Sequence, residues 1–552
     1  MHKIKLLFFL LTSLFLFNYS LQAQRSIDWE MTKNLDIYTS LLQQLNQHYV
    51  EDIQAGKMTK TAINAMLKDL DPYTVYYPEA DIEDVRFLQT GKYGGIGSYV
   101  HIKNDTLIVG MPSVGFPFYK AGLRAGDIIL KIDDKDATHK TMDEISDMLR
   151  GPAGTELTIN YLDPKNRKPH SVKLRREEIK VKNVPFYTKI NDSVAYVKLS
   201  GFTETAAQEV MNAIQTMNSN HQLKSLVFDL RFNGGGLLGQ AVAIMDMFVP
   251  ANEMIVSVRG KTTSENANYR THQPALFPEM KVVVLVNNRS ASASEIVAGS
   301  FQDLDRAVIM GQKSFGKGLV QKVYKLSYKS QVKITVAKYY IPSGRCIQAL
   351  DYQHKDAEGH AATTADSLQA VFKTKNGRLV KDAGGILPDV KLKKNIMSDY
   401  TANLAAKYMI FDFATYYVNN YDSIVNLEQF EISDALYDDF VNFVQQHEFT
   451  YKTATEKIIA KLEKQAKEEG FDEEFKTHIE LMKKELHDLK SKEVFKYKEE
   501  ISRLLRIEIA SRYFFLEGKV SASLRDDSEV KAAVELLNDS KRYYDLLSGG
   551  NQ

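Results

Sequence analysis

The stretch Ser290-Ala291-Ser292-Ala293-Ser294-Glu295 follows the apolar run Val282–Val286 and opens a helical pattern. The apolar run is typical of a buried strand, and the serines fall where helical N–H groups have no partner within the helix. A strand, sharp turn and helix can present a hydroxyl for chemistry, although the Gly-x-Ser-x-Gly pattern of nucleophile elbows is absent. The simpler alternative is a serine that only caps the helix.

One lysine lies 25 residues after Ser292 (317 − 292), in the loop Gly316-Lys317-Gly318-Leu319-Val320-Gln321. Its neighbours are glycine or apolar residues, which favours burial, and burial can lower an amine pKa by ~3–5 units so that the amine accepts a proton. In an extended segment Gln321 shares a face with Lys317 and can orient the amine. The alternatives are a solvated lysine and an ordinary strand glutamine. A serine paired with a lysine base indicates hydrolysis of a peptide bond.

A second glycine loop, Asp229-Leu230-Arg231-Phe232-Asn233-Gly234-Gly235-Gly236, joins a strand pattern to a helix pattern. Bare N–H groups at such a junction suit an anion, which in a hydrolase is the tetrahedral oxyanion. We expect one donor from Gly235 or Gly236 and a second from the N–H of Ala293. The alternative is a tight turn that only needs glycine conformations.

A third glycine loop, Gly94–Gly97, precedes an alternating strand pattern in a small β-rich segment. Such a loop suits capture of the terminal carboxylate of a peptide that adds to the sheet as a strand. Gly95, Ile96 and Gly97 are the candidate peptide-binding residues.

A rival interpretation of the lysine loop is phosphate binding, because Gly311–Gly318 matches a phosphate loop through its lysine. That motif needs Ser or Thr where Gly318 stands, and a helix where a β-branched stretch follows. We therefore reject nucleotide binding.

Composition excludes several other function classes. The chain has 552 residues, with 71 basic and 70 acidic residues and a net charge of +1, so it lacks the electrostatic footprint of a nucleic-acid-binding protein. Its histidines show no metal-ligand spacing, and we expect no metal or cofactor. Cys346 is the only cysteine, so no internal disulfide can form.

The N-terminus has the pattern of a secretory signal. Lys3 and Lys5 precede the apolar run Leu6–Phe17, and Ser20–Ala23 is a plausible cleavage site. The run is too short to span a bilayer, which takes roughly 20 residues, and no later segment qualifies. We expect export, to the periplasm, and no stable membrane span.

Five segments are predicted along the chain. These are a signal peptide (1–23), a helical N-terminal segment (24–85), a β-rich module (86–176), a core of alternating strands and helices (177–395) and a helical C-terminal extension (396–552). The fold class is multidomain α/β, and the alternation predicts a largely parallel sheet in the core, with a hairpin over Val320–Leu326 and Val332–Tyr340. The charged extension is expected to be solvated rather than a binding surface. The helical segments are candidates for self-association or adaptor binding.

Together these motifs resemble the carboxy-terminal processing peptidases, tail-specific serine proteases with a Ser–Lys dyad and an inserted PDZ domain. The family pattern matches at 94–97, 121–129, 229–236, 290–295, 315–321 and 384–389, and covers about residues 35–393. The resemblance implies that Ser292 is the nucleophile, Lys317 the general base and Gln321 its orienter, with Ala293 and Gly235 or Gly236 at the oxyanion. It implies a PDZ domain over 86–176 and a serine protease core over 177–395. It does not extend to the C-terminal helices.

The expected function is an exported serine endopeptidase that recognises the free C-terminal tails of proteins through its PDZ domain. One alternative is a catalytically decayed PDZ scaffold that binds protein C-termini without cleaving them. Another is a different acyl hydrolase using the same site, which the peptide-capture module disfavours. Asp303 and Asp305, in the helix and turn after Ser292, are interpreted as structural.

Overall fold

The computed structural model describes residues 29–549 apart from 80–85, 88–89, 221, 356–360, 364–366, 368, 394–395, 422, 425 and 472. The predicted signal peptide lies outside the described residues. Two compact units divide the chain: one is formed by the N-terminal residues to Tyr76 with Val323–Ile334, and the other by Tyr77–Lys322 with Thr335 to the C-terminus.

The first unit begins with two helices, as predicted for the N-terminal segment. Helix α1 covers 29–48 and helix α2 covers Ala55–Lys68, and the Tyr38 hydroxyl lies 3.3 Å from Thr59 Oγ1 between them. Asp71-Pro72 follows α2, since proline cannot continue a helix. Strand β1 spans Val75–Tyr77.

The β-rich module has one sheet of five successive strands, in the order β3-β4-β5-β7-β8, and a separate two-stranded ladder of β2 and β9. The short strand β6 pairs with β5. The pairings are antiparallel, and β3 lies at an edge. The strands are β2 Lys92–Gly95, β3 Ser98–Lys103, β4 Thr106–Pro112, β5 Ile128–Ile132, β6 Lys135–Asp136, β7 Glu156–Leu162, β8 Pro169–Arg175 and β9 Glu177–Lys180; the helices are α3 Pro117–Lys120 and α4 Met142–Leu149.

The core is built on a six-stranded sheet with the order β10-β11-β12-β15-β16-β23. Its strands are β10 Phe186–Lys189, β11 Val194–Lys198, β12 Ser225–Asp229, β15 Lys281–Val286, β16 Val308–Gly311 and β23 Val390–Lys391. The β10–β11 pair is antiparallel and the other pairs are parallel. Helices α5 Ala206–Met217, α6 Leu238–Met245 and α7 Ala293–Asp303 contribute to the large apolar cluster on one face of this sheet.

The prediction of a largely parallel sheet is not supported, because most strand pairings in the molecule are antiparallel. Among the strands of the described residues, the parallel pairs belong to the six-stranded sheet. Strand β13 (Met254–Gly260) pairs antiparallel with β14 (Ala267–Arg270) and with β18 (Gln331–Tyr340), and β17 (Leu319–Lys325) pairs with β18, which confirms the predicted hairpin. Short connections allow only antiparallel neighbours, whereas parallel strands need long crossovers. The remaining strands are β19 Leu350–Lys355, β20 Ala361–Thr363, β21 Val371–Lys373 and β22 Leu379–Lys381.

The C-terminal region is helical, as predicted. Its helices are α8 Asp399–Ala406, α9 Met409–Asn420, α10 Asp434–Gln446, α11 Ala454–Glu469, α12 Glu473–Ser491, α13 Glu493–Lys496, α14 Lys498–Leu524, α15 Ser528–Asn538 and α16 Ser540–Ser548. The expectation of a solvated extension is wrong for α15 and α16. Val530, Leu536 and Tyr543 are buried against the second face of the six-stranded sheet. Apolar side chains at helical spacing give α15 and α16 an apolar face. This face packs on the apolar side chains of the sheet.

Candidate active site

Ser292 lies at the apex of the turn between β15 and α7. Its backbone has φ +56° and ψ −116°, a conformation that is strained for a residue with a side chain. Strain of this kind persists only where surrounding contacts impose it, and it is common where a nucleophile is presented on a sharp turn. Ser292 is half-buried and immediately precedes the first helical residue, Ala293.

The three serines of the turn differ in their contacts. Ser290 and Ser294 are fully buried, and their hydroxyls donate to the carbonyl oxygens of Leu230 and Asn233, at 2.9 Å in each case. These two hydroxyls therefore tie the serine turn to the glycine loop at 229–236. Only Ser292 of the three is partly open to solvent.

Glu295 joins the serine turn to the lysine loop. Its carboxylate is fully buried, and Oε2 accepts hydrogen bonds from the N–H groups of Ser292 (2.8 Å) and Lys317 (2.9 Å). The other oxygen, Oε1, accepts from Ser314 Oγ (2.5 Å) and the Gly316 N–H (2.7 Å). Burial raises the pKa of Glu295 above its usual range, although these hydrogen bonds oppose the rise. The Glu295 side chain thus fixes the distance between the serine turn and the lysine loop.

Tyr339 on β18 makes a second bridge between the same segments. Its buried hydroxyl lies 2.5 Å from the carbonyl oxygen of Lys317 and 3.1 Å from that of Ser292. The backbones of the two residues are therefore held on both their N–H and their C=O sides. Sequence reasoning missed both bridging residues. Glu295 stands at the capping-box spacing after Ser292, which could have indicated it, whereas Tyr339 carries no local signal.

The lysine loop approaches the serine turn closely. The Phe315 N–H donates to the Ser290 carbonyl oxygen (3.0 Å), and Lys317 itself is half-buried. Gly316 has φ +87°, and a Cβ there would lie 2.4 Å from Ala349 Cβ, so the loop requires glycine at this position. The Gln321 side chain donates to Thr335 Oγ1 (3.2 Å), so its role as orienter of Lys317 remains a prediction.

The glycine loop packs directly on the nucleophile turn. Gly235 has φ +96°, and a Cβ there would lie 2.8 Å from Ser292 Cβ and 2.9 Å from the nitrogen of Ala293. The Gly235 N–H donates to Asn233 Oδ1 (2.9 Å), whereas the described contacts give the Gly236 N–H no acceptor. Of the two glycines predicted as oxyanion donors, Gly236 is therefore the one whose N–H is not already used by the loop, and the oxyanion roles of Gly236 and Ala293 remain predictions.

The candidate peptide-binding loop lies in the β-rich module. Gly95 ends β2, Ile96 and Gly97 connect it to the edge strand β3, and all three residues are buried. Gly97 has φ +67°, and a Cβ there would lie 2.3 Å from Phe116 Cβ, so this turn also requires glycine. The free edge of β3 can accept one more strand.

Asp303 and Asp305 make structural ion pairs. Asp303 Oδ1 lies 2.8 Å from an Arg345 nitrogen, and Asp305 Oδ1 lies 2.6 Å from Arg378 Nε. All four side chains are almost completely buried. Within the described residues, no cluster of His, Cys, Asp or Glu is arranged to hold a metal ion, and no helix is long and apolar enough to cross a membrane.

Comparison with known proteins matches three parts of the chain. Residues 193–354 match peptidase family S41, residues 112–162 match a PDZ domain, and residues 400–537 match a family described as the C-terminal helical domain of a probable PDZ-protease. The third match shows that related proteins share the C-terminal helices, which lay outside the resemblance found in the sequence.

Two curated relatives and one solved structure are similar to this chain. A carboxy-terminal-processing protease of Bartonella bacilliformis is 38% identical over 321 residues, which cover 58% of this chain and 73% of the relative. A probable CtpA-like serine protease of Staphylococcus aureus is 33% identical over 318 residues, covering 57% and 62%. The photosystem II D1 C-terminal processing protease is 25% identical, with a TM-score of 0.36 and coverage of 64% and 89%.

The fold and the matches define the class as a serine-type peptidase that carries a PDZ domain. The chain belongs to peptidase family S41, with the carboxy-terminal-processing proteases as its relatives.

Proposed function

We propose that this protein is an exported endopeptidase that binds the C-terminal tails of proteins and cleaves them with Ser292 as nucleophile and Lys317 as general base. The carrying observation is that Glu295 and Tyr339 each contact the backbones of both residues, 25 positions apart in sequence (317 − 292). A structural cap has no need for such a link to a lysine loop.

In the proposed reaction, the neutral Lys317 amine takes the proton of the Ser292 hydroxyl as Ser292 Oγ attacks the scissile carbonyl carbon. The N–H groups of Ala293 and Gly236 stabilise the oxyanion, and one such donor typically contributes ~3–4 kcal/mol to the transition state. Lys317 then gives its proton to the leaving amine, which frees the amine product and leaves an acyl-enzyme. Water hydrolyses this ester with Lys317 again as base, and Gln321 orients the amine.

The PDZ domain supplies substrate selection. The Gly95–Gly97 turn receives the terminal carboxylate of the tail, and the tail extends along the open edge of β3. Protein and peptide substrates with free C-termini are therefore the proposed partners. Export to the periplasm is proposed from the N-terminal signal pattern, and self-association or an adaptor from the helical segments.

The test incubates the full chain with a reporter protein that ends in an apolar or a polar unstructured tail, and locates the cuts by mass spectrometry. Ser292→Ala is expected to abolish cleavage while tail-peptide binding persists. Lys317→Arg is expected to be equally inactive, because arginine stays protonated. Lys313→Arg, in the same loop but exposed, is the matched control and should cleave normally.

Full activity of Ser292→Ala would refute the proposal. Peptide binding by the wild-type chain without any cleavage would favour the decayed scaffold. Cleavage of a small ester with no cleavage of any tailed reporter would favour a different acyl hydrolase.

A further inference from the structure

Arg231, in the first half of the glycine loop at 229–236, is held by three carboxylates. Nε and one terminal nitrogen bind Asp229 (3.0 and 2.7 Å), and the two terminal nitrogens bind Asp527 (2.8 and 3.2 Å). One terminal nitrogen also donates to Glu529 (2.6 Å). These five contacts match the five N–H donors of a guanidinium. Asp527 and Glu529 belong to the start of α15, so a C-terminal helix completes the shell around Arg231.

The remaining polar groups of this cluster are also paired. The Tyr196 hydroxyl donates to Asp229 (2.7 Å), and Lys198 lies 3.2 Å from the same carboxylate and donates to the Arg231 carbonyl oxygen (2.7 Å). Burial opposes ionisation of Asp229, but Lys198 and Arg231 outweigh it and hold its pKa below the usual range. Asp527 also accepts from the N–H groups at the start of α15, which suits a negative charge at a helix N-terminus.

Arg231 is two residues from Asn233, which organises the active site. Asn233 Oδ1 accepts the Gly235 N–H, and the Asn233 carbonyl oxygen accepts from the Ala291 N–H (3.0 Å) and from Ser294 Oγ. A shift of Arg231 would therefore move both the glycine loop and the serine turn.

Glu529 also contacts the segment that leads to the lysine loop. Its Oε1 accepts from the side-chain amide of Gln312, while Oε2 accepts from Arg231. Gln312 follows β16, and its N–H donates to the Val286 carbonyl oxygen (3.0 Å) at the end of β15. The Glu529 carboxylate thus contacts Arg231 in the glycine loop and Gln312, which precedes the lysine loop.

We propose that Glu529 is a positioning residue, supported by Asp527, which fixes the oxyanion loop through Arg231 and the lysine loop through Gln312. The C-terminal helices thereby complete the active site. This inference rests on the proposed function, since it assigns the loops their catalytic roles.

The test compares Glu529→Gln with wild type in the full chain, using the tailed reporter. The variant keeps the shape of the side chain and removes its charge. We expect kcat to fall at least about tenfold, because small displacements of catalytic groups cost up to ~100-fold, while KM and the melting temperature stay unchanged. The rate at which a fluorophosphonate labels Ser292 should fall in parallel. Glu535→Gln, the same change at an exposed site on α15, should match wild type.

Wild-type kcat and labelling rate in Glu529→Gln would overturn the proposal, as would a loss of activity that only follows the unfolded fraction. The two proposals fail separately. An active Ser292→Ala refutes the mechanism itself, whereas an inactive Ser292→Ala beside a fully active Glu529→Gln refutes only the positioning role.

Discussion

Two of the contacts that the C-terminal helices make with the rest of their unit differ in their chemistry. In the sheet contact, α15 and α16 cover the six-stranded sheet with apolar side chains and with polar groups that are paired. The Tyr543 hydroxyl, for example, lies 3.0 Å from the N–H and 3.1 Å from the C=O of Val282. In the PDZ contact, α9 and the residue before it pack on strand β3 around His101. Its ring stacks on Tyr408 at 4.1 Å and meets Phe411 edge-on at 4.8 Å.

The difference lies in how each contact treats its polar atoms. Neither ring nitrogen of His101 has a hydrogen-bond partner in the described contacts, although the side chain is buried. Satisfied polar groups fix one geometry, whereas an unpaired imidazole packs well only while it is neutral. The sheet contact is therefore suited to hold catalytic loops in place. The PDZ contact depends on pH, because its packing requires a neutral His101.

The largest effect is expected at the sheet contact. Leu536 is almost fully buried there, and Leu536→Ala leaves a cavity that should lower the free energy of unfolding by about 2–5 kcal/mol. Urea unfolding of the full chain measures this change. The exposed Asn538→Ala, on the same helix, serves as control. An unchanged unfolding midpoint in Leu536→Ala would show that α15 adds nothing to the stability of the sheet.

Sequence patterns predicted much of the fold and the proposed nucleophile. Strand, turn and helix around Ser292 follow from local apolar runs, and glycine positions with positive φ, such as Gly316 and Gly97, mark loops that need glycine. The capping-box spacing could have indicated Glu295 but not its contacts with the lysine loop. The bridge from Tyr339 was missed because it depends on which strand lies opposite the turn, and long-range pairing sets that. The contact of Glu529 with Arg231 joins residues 298 positions apart, for which no local pattern exists.

The second effect is a pH dependence of the PDZ contact. Burial, with Arg512 and Lys103 nearby, lowers the pKa of His101 to about 4, and Glu508 opposes this only in part. Asp412 of α9 pairs with Lys103. Because the folded pKa is below the usual value of about 6.5, the contribution of His101 is complete above that pH and is lost as the pH falls toward 4. The loss corresponds to about 3 kcal/mol.

Hydrogen exchange of strand β3 at pH 7 and pH 5 measures this effect, with wild type exchanging faster at pH 5 after correction for the intrinsic rate. His101→Phe keeps an aromatic ring between Tyr408 and Phe411 but cannot be protonated, so it should lose the faster exchange of β3 at pH 5 that protonation of His101 causes in wild type. Equal protection of wild-type β3 at both pH values would contradict the prediction.

The smallest effect is expected from the ion pair at the margin of the PDZ contact. Lys103 and Asp412 are each about one-fifth exposed, at 22% and 23%, so solvent screens their attraction. Lys103→Met keeps the apolar stem and should reduce the protection of β3 by no more than about 1 kcal/mol at pH 7. It also removes a positive charge near His101, which should raise the folded-state pKa of the imidazole, so that the loss of protection is smaller and levels off at a higher pH. Titration of β3 exchange in Lys103→Met against wild type separates the two consequences. A loss of protection with the same size and the same low-pH limit as in wild type would show that Lys103 does not depress the His101 pKa.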